Sequence, residues 1–201
     1  MKDVKVDALE GGGAPALGEP LPIELANATY AVRGRLVDGL QSVEQAAAWF
    51  RDHRGRFAEP IADTDLLAAG PSELAAVRAL RDAIRELAAV AVRGGPPPRA
   101  AVAEVNRQVR SAARWRELSW EAGPQSLARS AAAPVTTALA EIAEAAVDLF
   151  GGDAVGLLRA CQAPGCVLYF VKDHPRREWC SAACGTRARA ARHYERTKQA
   201  R

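Results

Sequence analysis

The sequence predicts a mainly α protein with a few short β-strands, an α+β class, in which a helical N-terminal domain carries a small C-terminal module. Three observations predict this. Alanine dominates an apolar content of 49%, which favours helix over strand. Three long segments repeat apolar residues at steps of three and four. All four cysteines fall between residues 161 and 184, where the composition changes. A chain of 201 residues suits one medium domain with a small appendage. The opening residues hold no apolar run of signal-peptide length, and no stretch approaches the roughly 20 apolar residues of a membrane span. A cytoplasmic setting, where thiols stay reduced, is expected.

Residues 1–20 are rich in Gly and Pro and read as a disordered lead. The first domain is expected over 21–154 and the module over 155–201. "LPIELANATYAV" opens the body with a short buried strand or helix start. In "SVEQAAAWFRDH", Ser42 followed by Gln45 is a capping-box pattern, predicting a short helix from Val43. "PSELAAVRALRDAIRELAAVAVRGG" has Ser72 as a candidate N-cap and a stripe of Leu74, Val77, Leu80, Ile84, Leu87 and Ala91. Gly94, Gly95 and Pro96 to Pro98 stop it. "RAAVAEVNRQVRSA" is a second helix, and "RWRELSW" with its flanks is a candidate hairpin. In "APVTTALAEIAEAAVDLFGG", Pro134 starts a third long helix and two glycines end it.

The cysteines are spaced C-x4-C-x13-C-x3-C. Two close pairs joined by a longer loop are the pattern of a tetrahedral zinc site. Pro164 and Gly165 allow the tight turn that aims Cys161 and Cys166 at one point. Cys180 and Cys184 stand at i and i+4, with a helix expected from about Ser181. The unpaired amides and positive dipole end of that helix favour thiolate. A disulfide framework, a redox pair or unrelated buried cysteines are the alternatives. They fit less well: no export signal was found, neither spacing is two, and unrelated thiols do not cluster in pairs. Four thiolates leave no open coordination position, so one structural Zn2+ is expected, in a treble-clef-like finger. Trp179, Tyr169 and Phe170 are expected to cover it, and His174 to lie in an exposed loop.

Charge is uneven. From Arg159 onward there are ten Lys/Arg and three Asp/Glu, a net +7, which leaves −4 for residues 1–158. A helix over 181–198 gathers Arg189, Arg192 and Arg196 near His193 on one face. Ala183, Ala190, Ala191 and Tyr194 share another, expected to pack on the body.

"CQAPGC", the aromatic pair "YF", and "REWCSAACGTR" followed by a basic helix make this segment similar to the CGNR zinc-finger family of bacterial proteins. The family tetrapeptide is here Cys184-Gly185-Thr186-Arg187, with threonine in place of asparagine; its hydroxyl could supply part of the lost contacts. In that family the finger follows an N-terminal ABATE domain, whose opening "LPIELANATY" and "SVEQAAAWF" resemble. The family's usual Asn-Thr pair is split here as Asn27-Ala28-Thr29. The resemblance spans about residues 20–196 and implies a mostly helical body, a zinc module and a role in transcription.

The expected function is therefore a zinc-containing, DNA-binding transcriptional regulator. Arg176, Arg177, Arg187, Arg189, Arg192, Arg196 and Lys198 would contact phosphates. The N-terminal domain would sense a small-molecule effector or form a homodimer. A zinc-stapled protein-interaction module and an RNA-binding protein are the alternatives. No phosphate loop, HExxH or nucleophile motif supports an enzyme. Asn27, Arg33 and Arg35 could line a small-molecule pocket, or cap a turn and face solvent.

Overall fold

The computed structural model describes residues 14–199; the disorder expected for residues 1–13 lies outside them. Helix α1 (Leu21–Ala26) leads into strands β1 (Thr29–Val32) and β2 (Arg35–Asp38), then α2 (Val43–Asp52), α3 (Asp63–Leu67) and α4 (Pro71–Arg93). Helix α5 (Arg99–Val109), a ribbon of β3 (Arg114–Ser119) and β4 (Gln125–Ser130), and α6 (Pro134–Gly151) complete the body. Strands β5 (Leu158–Ala160) and β6 (Tyr169–Val171) and helix α7 (Ala182–Gln199) form the C-terminal module. The three strand pairs are separate antiparallel ribbons.

The long helices pack on one another because their apolar stripes are continuous. Val77, Leu80, Ile84 and Ala88 of α4 are buried, as are Val135, Leu139, Ile142, Ala143 and Ala146 of α6. Alanine on α6 lets neighbouring backbones approach. Helix α1 is buried along its whole length and contacts α4, α6 and β6. Each large aliphatic side chain buried this way contributes about 1.5–3 kcal/mol.

Local chemistry sets the boundaries. Ser42 accepts a hydrogen bond from the Gln45 amide, and the Gln45 side chain accepts from the Ser42 amide, closing the expected capping box. Helix α4 begins two residues earlier than expected: Gly70, not Ser72, is the N-cap. Pro71 suits the first helical position because its missing N–H would be unpaired there anyway, and Glu73 accepts from the Gly70 amide at 2.8 Å. Strands β1 and β2 close through Arg33 and Gly34, both with left-handed φ of 49° and 79°. That is the geometry of a two-residue hairpin turn of the primed type. Arg33 and Arg35 are thus exposed at the turn, away from Asn27, which is fully buried.

Residues 14–20, read above as part of the disordered lead, are laid against the body as a strap. The buried Glu24 carboxylate accepts from the Leu17 amide at 3.0 Å and the Glu19 amide at 2.6 Å. Arg56 donates to the Glu19 carbonyl at 2.6 Å. A Gly/Pro-rich segment can be ordered when a buried carboxylate collects its amides, which composition does not reveal.

The module is joined to this body by backbone-like bonds. The Asn27 side chain donates to the Tyr169 carbonyl and accepts from the Tyr169 amide, both at 2.9 Å, acting as a one-residue strand beside β6. Arg85 of α4 donates to the carbonyls of Ala26, Thr29 and Val167 and lies over the Tyr169 ring at 5.5 Å. Replacing Asn27 by Ala should leave the Tyr169 N–H and C=O without these partners at a buried junction. We expect the unfolding free energy to fall by about 1–3 kcal/mol, read from a denaturant titration; Asn27→Asp, which buries a charge against the Tyr169 carbonyl, should cost at least as much at neutral pH.

Candidate metal centre and its attachment

Strands β5 and β6 hold the first cysteine pair at one end of their ribbon. The Cys161 amide donates to the Leu168 carbonyl at 2.8 Å, and the Cys166 amide donates to the Ala163 carbonyl at 2.9 Å, closing a tight turn. Gly165 sits in it at φ 72°, a conformation glycine adopts without strain. The second pair straddles the start of α7, where the Ser181 hydroxyl accepts from the Cys184 amide at 3.3 Å. A hairpin knuckle followed by a helix that delivers the second pair is the treble-clef-like arrangement expected.

All four sulfurs lie within 4.8 Å of one another. Cys180 and Cys184 Sγ are 3.4 Å apart, and Cys166 and Cys180 Sγ 3.8 Å. Tetrahedral zinc with thiolate bonds of about 2.3 Å requires sulfurs about 3.8 Å apart, so the donor set fits the ion. The cysteines are free thiols. Without a cation, thiols this close share protons. Cys184 and Cys161 are pushed down, Cys161 to about 7, chiefly by hydrogen bonds from Cys161 and Cys166 respectively. Cys166 and Cys180 are pushed up, above all by their hydrogen bonds with Cys161. Zn2+ would take the place of those protons, held by Cys161, Cys166, Cys180 and Cys184. Arg187 donates to Cys184 Sγ at 3.1 Å and offsets part of the negative charge.

The walls of the site come from both domains. Phe170, Leu168, Ala163 and Ala188 are buried with Cys161, Cys180 and Cys184, and so is Tyr30 from β1 of the body. Trp179 packs at the edge. Tyr169, expected over the metal, instead packs with Ile23, Leu149 and Leu158 at the junction of the domains, because alternate residues of β6 face opposite ways. A side chain at Gly185 would meet the Trp179 ring at 3.0 Å, which explains the glycine after the fourth cysteine. Thr186 accepts from Arg189 at 3.0 Å.

Arg177, a predicted phosphate contact, is turned inward. It pairs with the buried Glu19 carboxylate of the strap, donates to the carbonyls of Val171 at 3.1 Å and Cys180 at 3.3 Å, and lies over the Phe170 ring. Glu19 also accepts from the Val171 amide at 2.9 Å. Burial pushes its carboxyl above the ordinary range, against the opposing pull of that amide and of Arg177. The strap thereby holds the carbonyl of a candidate metal ligand. Nothing local in the sequence marks Glu19 or Arg85 for this, since each acts on residues far away in the chain.

The other predicted contacts remain at the surface. Arg176, Arg187, Arg189, Arg192, Arg196 and Lys198 are exposed. Among the described residues none of these six forms an ion pair. Arg192 lies over the Trp179 ring at 5.9 Å. An open cleft of about 690 Å³ runs between the strap and the start of α7, bordered by Leu17, His174, Arg176, Trp179 and Arg189. The alanine face expected to pack on the body does not do so. Cys184, Gly185 and Ala188 are the buried residues of α7, whereas Ala183, Ala190 and Tyr194 are exposed. The cysteine cluster buries the first two turns, and among the described residues nothing covers the rest.

A helical body locked to a four-cysteine finger defines a two-part protein with one structural zinc ion. The chain belongs to the ABATE family, described as "Putative stress-induced transcription regulator", whose profile matches residues 19–153. The CGNR zinc finger profile matches residues 158–197. No curated protein matches the chain.

Mass spectrometry under non-denaturing conditions should find one zinc per chain. Cys184→Ser should lose it, and affinity should fall as pH falls, since protons compete for the thiolates. Glu19→Ala leaves the Val171 amide without its acceptor and Arg177 with Asp173 as its remaining carboxylate partner. It should cost about 1–3 kcal/mol in a denaturant titration, whereas Glu19→Gln, which keeps an acceptor, should cost less.

Proposed function

We propose that this protein is a transcriptional regulator that binds DNA through α7 and the loop before it, and acts by binding, without catalysis. The observation that carries this reading is the free half of α7. Beyond Ala188 its side chains are exposed apart from the half-buried Ala191, and Arg189, Arg192 and Arg196 share a shallow groove along it. A helix polar all round is unusual without a partner. A rigid one bearing unpaired arginines suits the phosphates and major groove of duplex DNA. Arg176, Arg187 and Lys198 extend the basic surface, while Arg177 is excluded by its internal bonds. The family description agrees with a role in transcription. Four reduced thiols suit a reducing, cytoplasmic setting.

Among the described helices none is long and apolar enough to cross a membrane. A single finger reads few base pairs, so useful specificity calls for two copies, with an effector of the body as a further means of control.

The test is a salt titration of duplex binding. If about four side chains meet phosphates, log affinity should fall with log salt at a slope of about −3.5. The double variant Arg189→Ala, Arg192→Ala should lower that slope by nearly two and weaken binding, with zinc content unchanged. A salt-independent response, or equal binding by the variant, would remove α7 from the mechanism. Preference for single-stranded RNA, or for an acidic protein, in the same assay would favour those partners instead.

A further inference from the structure

The β1–β2 hairpin ends in two arginines that the body does not use. Arg33, Gly34 and Arg35 are exposed, and among the described residues no carboxylate pairs with either guanidinium. Asp38, at the base of the hairpin, is taken by Arg78 and Arg81. Arg33 holds a left-handed φ of 49° at the first turn position, where Asn, Asp or Gly is favoured. A bulky residue kept in that region at an exposed tip calls for a use of its side chain.

The tip is fixed beside the finger. Tyr30 is buried in the cysteine cluster, and Val32 and Val37 pack against the same cluster. A Cβ on Gly165 of the knuckle would lie 4.0 Å from Gly34 Cα, and residues 161–168 include no acidic side chain. Towards α7, Ala31 borders a small opening of about 80 Å³ together with Cys166, Cys184 and Arg187. Helical spacing sets Arg187 on the flank of α7 opposite Arg189, Arg192 and Arg196. The hairpin therefore stands on the Arg187 side. A helix lying in the major groove has a phosphate wall on each side.

We propose that the hairpin tip is a second contact to the duplex bound by α7, with Arg33 and Arg35 meeting backbone phosphates of the strand on the Arg187 side. Arg189 and Arg192 face the other wall. This rests on the reading of α7 given above and extends it, because the body then binds DNA directly. Guanidinium groups on a fixed turn suit phosphate oxygens, which they can engage in pairs. Such contacts position the protein on the duplex without reading its sequence.

The test uses the full, zinc-loaded chain in the salt titration of duplex binding. Arg33→Asn combined with Arg35→Gln should lower the slope of log affinity against log salt by nearly two. Between about 50 and 200 mM salt the wild type should then lose roughly tenfold more affinity than this variant. Asn suits the left-handed turn, so circular dichroism, thermal stability and zinc content should be retained. Arg33→Lys combined with Arg35→Lys keeps both charges and should keep the slope. An unchanged slope in the Asn/Gln variant, while Arg189→Ala, Arg192→Ala still weakens binding, would overturn this proposal alone. A loss in the tip variant with no loss in the α7 variant would overturn the shared duplex. No duplex binding by the wild type would overturn both readings.

Discussion

Four thiols within 4.8 Å of each other form an arrangement that only a cation or shared protons can sustain. If all four ionised alone, their mutual repulsion would drive the knuckle and the helix start apart. If all stayed neutral, they would be weak hydrogen-bonding groups holding two remote segments together. Zn2+ resolves this by giving each sulfur a bond and cancelling half the charge. The consequence reaches beyond the finger, because Tyr30 of the body is buried in the same cluster as three of the cysteines. The metal position is therefore part of the packing between the domains.

A module of about forty residues cannot bury enough apolar surface to be stable alone, which is why metals are common in units of this size. Here the body supplies a second remedy. Asn27 imitates a strand, Arg85 gathers three carbonyls, and the strap presents Glu19 to Arg177. Each bond reaches backbone or a buried charge, where an unsatisfied partner is expensive. The finger is accordingly a docked element with one orientation, and α7 leaves the body in a direction that the body dictates.

The parts of this arrangement differ in how legible they were in the sequence. The long helices were readable because Leu80, Ile84, Leu139 and Ile142 repeat at the helical period, and the metal cluster because cysteine spacing reports local geometry directly. The capping box at Ser42 and the ribbon at Trp115 were readable for the same reason: a few adjacent residues decide them. The strap was not, since its order depends on Glu24, a buried carboxylate in the helix that follows, collecting its amides. In the sequence Arg177 is indistinguishable from a free cation, because its charge is visible there and the carboxylate 158 residues away is not. The packing face of α7 differs from its apolar stripe because periodicity marks apolar side chains, whereas Cys184 and Ala188 are buried by the geometry of the cysteine cluster.

The buried face of α7 bears on the arginines. Isolated helices of this length are marginal in water, chiefly because the first turn fixes several dihedrals for a single hydrogen bond. In α7 the first turn is already fixed: Cys180 and Cys184 are tied into the metal cluster, and Ser181 caps the Cys184 amide. The nucleation cost is offset by the zinc site, and the alanine- and arginine-rich turns that follow need only propagate. Arg192 and Arg196 lie two and three turns from the nearest sulfur and touch none of them, yet their helical spacing depends on it. In the proposed reading the metal makes no contact with DNA. It determines whether the phosphate-binding side chains form an ordered stripe or a loose basic tail, so zinc loss would weaken binding by disordering the arginines without changing their charge.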